Sequence, residues 1–127
     1  MPDTAKPTQK VTKKLLVVED DGEIALVLDM VLNKENMQLD YANNLIAAHE
    51  YLQQQQPHLI LLDNKLPDGF GVDFISYIKK KFPAIKIIMI SGLPAARDVA
   101  LANGANLFFE KPFSLDEISA AIDSLTD

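Results

Sequence analysis

Glu19 and Asp20 stand side by side, Asp63 stands alone, and Ser91 and Lys111 follow; each lies within two residues of the end of a short apolar run. LLVV leads into Glu19-Asp20-Asp21, LILL into Asp63, IIMI into Ser91, and LFF into Glu110-Lys111. Brought together, these groups would make a pocket of carboxylates with one hydroxyl and one ammonium. Two like charges roughly 4 Å apart repel by roughly 4 kcal/mol at an effective dielectric of about 20. Glu19, Asp20 and Asp63 in one pocket therefore require either a shared proton or a counter-charge. A hard divalent cation supplies the latter. Mg²⁺ takes oxygen ligands, keeps several waters, and is commonly held by one or two carboxylates together with a phosphate. Lys111 adds a fixed positive charge, so the chemistry indicated is phosphoryl binding or transfer.

For these residues to meet, the runs must be parallel strands. Leu15–Val18, Leu59–Leu62, Ile87–Ile90 and Leu107–Phe109 are unbroken apolar stretches, as in strands covered on both faces. Met37–Ala42 is weaker, with Gln38 and Asp40, and fits a strand nearer the edge. Helical spacing appears between them. Residues 23–33 carry Ile24, Val27, Leu28, Val31 and Leu32; residues 44–55 carry Leu45, Ala48 and Leu52; residues 70–81 carry Val72, Ile75 and Ile78. Lys79–Lys81 suit the negative end of that third helix dipole and read as a solvated end. Residues 95–103 are alanine-rich and stop at Gly104, a C-cap candidate. Ser114-Leu-Asp-Glu117 is a capping-box pattern ahead of Leu115, Ile118, Ile122 and Leu125. Met30, Met37 and Met89 read as packing residues, and Asp21 or Gly22 as the local start of the first helix. The order βαβαβαβαβα implies one doubly wound, five-stranded parallel sheet with five helices, flavodoxin-like, in strand order 2-1-3-4-5. In such a sheet the carboxyl ends of all strands lie at one edge, where open α/β sheets bind ligands.

Composition narrows the function classes. The 127 residues make one domain, and net charge is −6 from 18 acids and 12 bases. That sign argues against direct nucleic-acid binding and against docking on an anionic membrane surface. The chain has no cysteine, which excludes thiol chemistry and thiolate metal sites. No apolar run nears the ~20 residues of a membrane span, and MPDTAKPTQKVTKK has no apolar signal segment, so a cytoplasmic location is expected. Residues 1–12, with Pro2 and Pro7, read as a disordered leader, and 13–127 as the folded domain. His49 and His58 have no spaced partner and read as surface or satisfied histidines.

The motifs LLVVEDD (15–21), LLDNKLPDG (61–69), IIMISG (87–92), NGAN (103–106) and FFEKPF (108–113) occur in order, at the ends of the expected strands. Together they are specific, and over residues 13–126 the chain resembles the receiver domain of two-component response regulators. The resemblance implies that Asp63 is the phosphoacceptor, taking a phosphoryl group from a histidine kinase or histidine phosphotransfer protein. It implies that Glu19, Asp20 and Asp63 hold Mg²⁺ (or Mn²⁺) with the backbone carbonyl of Lys65. Lys111 and Ser91 would contact the phosphoryl oxygens, with Ser91 and Phe108 as the switch pair. The Lys111-Pro112 bond is expected to be cis. The domain would catalyse its own aspartyl phosphorylation and dephosphorylation, and would signal through the surface of the fourth helix, fifth strand and fifth helix. The partner or output domain so contacted is not legible, and the state implied is a monomer or weak homodimer.

Three features depart from the commonest members. The segment 91–104 is about two residues short, so a short or displaced fourth helix is expected. Phe108 stands where tyrosine is frequent. Lys65 and Leu93 occupy the positions that tune dephosphorylation, and apolar Leu93 is expected to lengthen the phosphoryl lifetime. Other function classes fit these residues less well. A haloacid-dehalogenase-type phosphatase also uses a strand-end Asp, but needs a second acid where Lys65 stands, and a larger chain. A nucleotide-binding module would need a glycine-rich phosphate loop that the sequence lacks. A pseudo-receiver that binds partners without phosphorylation is the remaining alternative.

Overall fold

The computed structural model describes residues 12–34 and 36–126. The expected leader therefore lies almost wholly outside the described residues. In chain order the elements are β1 (Lys13–Val18), α1 (Gly22–Leu32), β2 (Met37–Ala42), α2 (Leu45–Gln54) and β3 (Leu59–Asp63). A ribbon of β4 (Lys65–Leu66) and β5 (Gly69–Phe70) follows, then α3 (Gly71–Lys81), β6 (Lys86–Ser91), α4 (Ala96–Asn103), β7 (Leu107–Glu110) and α5 (Leu115–Thr126). The main sheet is five-stranded and parallel, ordered β2-β1-β3-β6-β7. This is the expected order once the antiparallel β4–β5 ribbon, which was not expected, is set aside.

Strand pleating explains the two cores. Successive side chains point to opposite faces, so Leu16, Val18, Ile60, Leu62, Ile87 and Met89 pack with α2, α3 and α4. Leu15, Val17, Leu59, Leu61, Ile88 and Ile90 pack with α1 and α5. Every residue of β3 is buried, Asp63 included. Burial of a Leu or Ile side chain is worth roughly 1.5–3 kcal/mol, and both faces of the central strands contribute. No helix among the described residues is long and apolar enough to cross a membrane.

Local signals set the helix ends. The Asp21 side chain accepts from the amides of Glu23 and Ile24 and caps α1. Gly104, at φ +116°, ends α4 in the left-handed region where glycine carries no Cβ penalty. The Ser114 hydroxyl accepts from the Glu117 amide, the serine half of the capping box. At eight residues α4 is the shortest helix, in line with the short 91–104 segment. Two expectations are corrected. Met30 is not a packing residue; it is 74% exposed beside Leu26 at 61%, because α1 is apolar on more than its core-facing stripe. Lys79 is not simply solvated, since its ammonium donates to the carbonyls of Pro83 and Ile85.

Candidate functional site

The parallel register brings four strand ends level. Val18 lies opposite Leu62, Asp63 opposite Ile90, and Ser91 opposite Glu110. Backbone bonds carry the alignment one residue past the strands. The Glu19 amide donates to the Ala42 carbonyl, the Asn64 amide to Ile90, and the Lys111 amide to Ser91. Glu19, Asp63, Ser91 and Lys111 thus reach one rim because the sheet continues just beneath them.

At that rim the Lys111 ammonium lies 3.1 Å from Asp63 Oδ1 and 3.6 Å from Glu19 Oε1. Carboxylate oxygens of Glu19, Asp20 and Asp63 lie within 4.8 Å of one another. Glu19 and Asp63 are buried, at 5% and 4% exposure, whereas Asp20 faces solvent. Asp20, Asp21, Asp63, Lys65, Leu66, Pro67, Ser91, Gly92 and Lys111 line one open cleft. The Lys111-Pro112 peptide is cis, as expected.

The electrostatics are unbalanced. Burial first, and then the like charge of Asp63, push the Glu19 carboxyl from 4.5 up to about 7, against the Asp21 amide and the Lys111 ammonium. Lys111 is raised as well, which for an amine favours the charged form. Burial alone would lower its pKa, but the hydrogen bond and charge of Asp63, with Glu19 behind, raise it overall. Glu19 Oε2 accepts from the Asp21 amide, while Glu19 Oε1 is buried with no hydrogen-bond partner. An unpartnered buried carboxylate oxygen costs free energy. Three clustered carboxylates, one with a buried oxygen that makes no hydrogen bond and has only the Lys111 ammonium 3.6 Å away, fit a hard divalent cation.

Ser91 is buried at the rim, and its hydroxyl accepts from the Leu93 amide at 3.0 Å. Leu93 itself is 55% exposed. Phe108 is buried beneath the Arg97 guanidinium, which lies 5.8 Å from the ring centroid. The site residues read from the sequence are thus brought to one edge, with Leu93 just outside the cleft and Phe108 one strand away.

Sequence reasoning missed the groups that seat Asp63 from below. Asn64 is buried; its carbonyl accepts from the Gly71 amide and its side chain from the Val72 amide, fixing the start of α3. Gly71 is there for space: a Cβ would sit 2.4 Å from the Asp63 carbonyl oxygen. The sequence carries no sign of this approach to Asp63, because it arises only when α3 folds back on the end of β3.

Comparison with known proteins decides the family. The model of the response regulator receiver domain matches residues 15–123. The chain belongs to that family. It is 40% identical over 111 residues to the transcriptional regulatory protein KdpE of Staphylococcus aureus, covering 86% of this chain and 48% of that protein. It is 31% identical over 114 residues to sporulation initiation phosphotransferase F of Bacillus subtilis, covering 88% and 92%. The chain thus spans less than half the length of the first relative and nearly all of the second. Among solved structures, the beryllofluoride-activated NtrC4 receiver domain dimer is similar at TM-score 0.84 and 33% identity, covering 91% of this chain and 97% of that one. The receiver domain described here therefore has the flavodoxin-like fold, with an acidic cluster at the carboxyl edge of its sheet.

Proposed function

We propose that residues 13–127 form a phosphoacceptor unit in which Asp63 takes a phosphoryl group from a phosphohistidine on a histidine kinase or histidine phosphotransfer protein. An Asp63 carboxylate oxygen forms the new bond to phosphorus as the phosphorus–nitrogen bond to the donor imidazole breaks. The bonding pair stays on the imidazole nitrogen. Such transfers have a loose transition state, so the protein's work is positioning and charge stabilisation. Lys111 orients Asp63 before transfer and neutralises phosphoryl charge after it. Ser91 exchanges its bond from the Leu93 amide for one to a phosphoryl oxygen. Glu19, Asp20 and Asp63, with the Lys65 carbonyl, would hold Mg²⁺, which when bound supplies positive charge to phosphoryl oxygens.

The observation that carries this reading is the Lys111 ammonium seated 3.1 Å from Asp63 Oδ1 within a three-carboxylate rim. Phosphorylation adds nearly two negative charges to that rim. The response is read out on α4, β7 and α5 as Ser91 and Phe108 move together. The test is incubation with Mg²⁺ and a small acyl phosphate, followed by intact mass. Wild type should gain one phosphoryl group and Asp63→Asn none. A wild type without mass gain, under conditions where Mg²⁺ binds, would favour a phosphorylation-independent interaction module.

A further inference from the structure

The β4–β5 ribbon forms the outer wall of the cleft, contributing Lys65, Leu66 and Pro67. Its own two-residue pairing is too short to hold it. What ties it down is Asp68 at its tip. Asp68 Oδ1 accepts from the Leu45 amide at 2.8 Å and Oδ2 from the Ile46 amide at 2.9 Å. Those are the first two amides of α2, over twenty residues earlier in the chain. The third, Ala47, donates to the local cap Asn44 at 2.7 Å. One carboxylate thus serves two orphan donors of a helix and fastens the site's wall to that helix. The fit is close: Gly69 is at φ +152°, and a Cβ there would lie 3.0 Å from Leu45 Cδ1. Leu66, next to the tip, packs into the α2 side of the core with Ala48 and Leu52. The Leu45 amide and, behind it, Ile46 also hold the Asp68 carboxyl below the ordinary carboxylate range, so the clamp is ionised at neutral pH.

We infer that Asp68 is a positioning residue, a clamp between the β4–β5 ribbon and the first turn of α2 that holds the Lys65 carbonyl and the cleft wall in register with Asp63. This rests on the reading of the rim as a metal and phosphoryl site. Groups that orient metal ligands from behind typically change metal affinity 10–100-fold when removed. Here the group acts on a backbone ligand through two residues of ribbon, so the low end, about tenfold, is expected.

The test compares Asp68→Ala with Asn44→Ala in the full chain. Both variants remove an α2 cap, but only the first releases the ribbon. Mg²⁺ alone is titrated and followed by the amide NMR shifts of residues 61–66, and hydrogen exchange is measured without metal. Asp68→Ala should weaken Mg²⁺ binding about tenfold and speed exchange in the ribbon, while Asn44→Ala leaves both near wild type. Asp68→Asn, which keeps one acceptor oxygen, should recover part of the affinity. Equal Mg²⁺ affinity for the two alanine variants would overturn the inference and leave Asp68 a helix cap only. If wild type itself binds no Mg²⁺, the metal reading fails; the clamp then stands or falls on whether ribbon exchange quickens in Asp68→Ala but not in Asn44→Ala.

Discussion

Replacing Glu19 by Gln should stabilise the metal-free protein at pH 8 and leave it unchanged near pH 4. The Glu19 carboxyl is pushed from 4.5 up to about 7 by burial and by Asp63. Between those values the native state keeps a proton that the unfolded chain has released. Stability therefore falls as pH rises through that window and stays lost above it. A change from 4.5 to about 7 corresponds to about 3 kcal/mol at about 1.4 kcal/mol per tenfold change in proton affinity. The rim opens to solvent at Asp20, and screening reduces this to about 1–2 kcal/mol. Gln, neutral at every pH, does not carry the penalty. At pH 8 without metal its melting temperature should be higher than wild type by about 3–8 °C. Saturating Mg²⁺ should reverse the order, since a ligand that binds the native state raises its stability and wild type binds it better. Thermal melts of both proteins from pH 4 to 8, with and without Mg²⁺, make the measurement. A difference between the two that is flat with pH, or a wild type that gains on the variant from pH 5 to 8 without metal, would refute the account of Glu19.

Lys111→Met removes the ammonium 3.1 Å from Asp63 and should slow phosphorylation by acyl phosphate about 100-fold, read by intact mass against time; a rate within a few-fold of wild type would count against its role. Gly71→Ala places a methyl group 2.4 Å from the Asp63 carbonyl oxygen and should cost about 3 kcal/mol by urea denaturation, because the obstacle is backbone and cannot rotate away. Leu93→Glu should shorten the lifetime of the phosphorylated protein, followed as decay of the mass adduct, because it sets a water-orienting carboxylate beside Ser91 where an exposed apolar chain now stands. An equal or longer lifetime would remove that role from Leu93.

Why the strands and the polar residues at their ends were legible has a simple physical basis. Strands buried on both faces must be apolar throughout, so LILL and IIMI announce themselves, and the first polar residue after each marks the solvent edge. Asp63 and Ser91 were visible for that reason, and Lys111 because its strand, LFFE, ends one residue earlier. The first helix was less legible. Leu26 and Met30 carry the same apolar chemistry as Leu28 and Leu32 yet face solvent, and periodicity cannot separate faces when both are apolar. The least legible features depend on approach between distant segments. Asp68 reads as an ordinary turn residue, and nothing in Pro67-Asp68-Gly69 names Leu45 and Ile46 as its partners. The ribbon was hidden for a related reason, since its two-residue strands lie below any periodic signal.

The central claim is that Asp63, among the three clustered acids, is the group that accepts phosphate, and it can be tested at the residue itself. After reaction with acyl phosphate and Mg²⁺, borohydride reduces an acyl phosphate to an alcohol, turning a phosphorylated aspartate into homoserine that peptide mass spectrometry locates. Homoserine at position 63 alone, dependent on Mg²⁺, is the predicted result. Homoserine at position 20, reduction of Glu19, or no reduced residue in protein that binds Mg²⁺ would contradict the account.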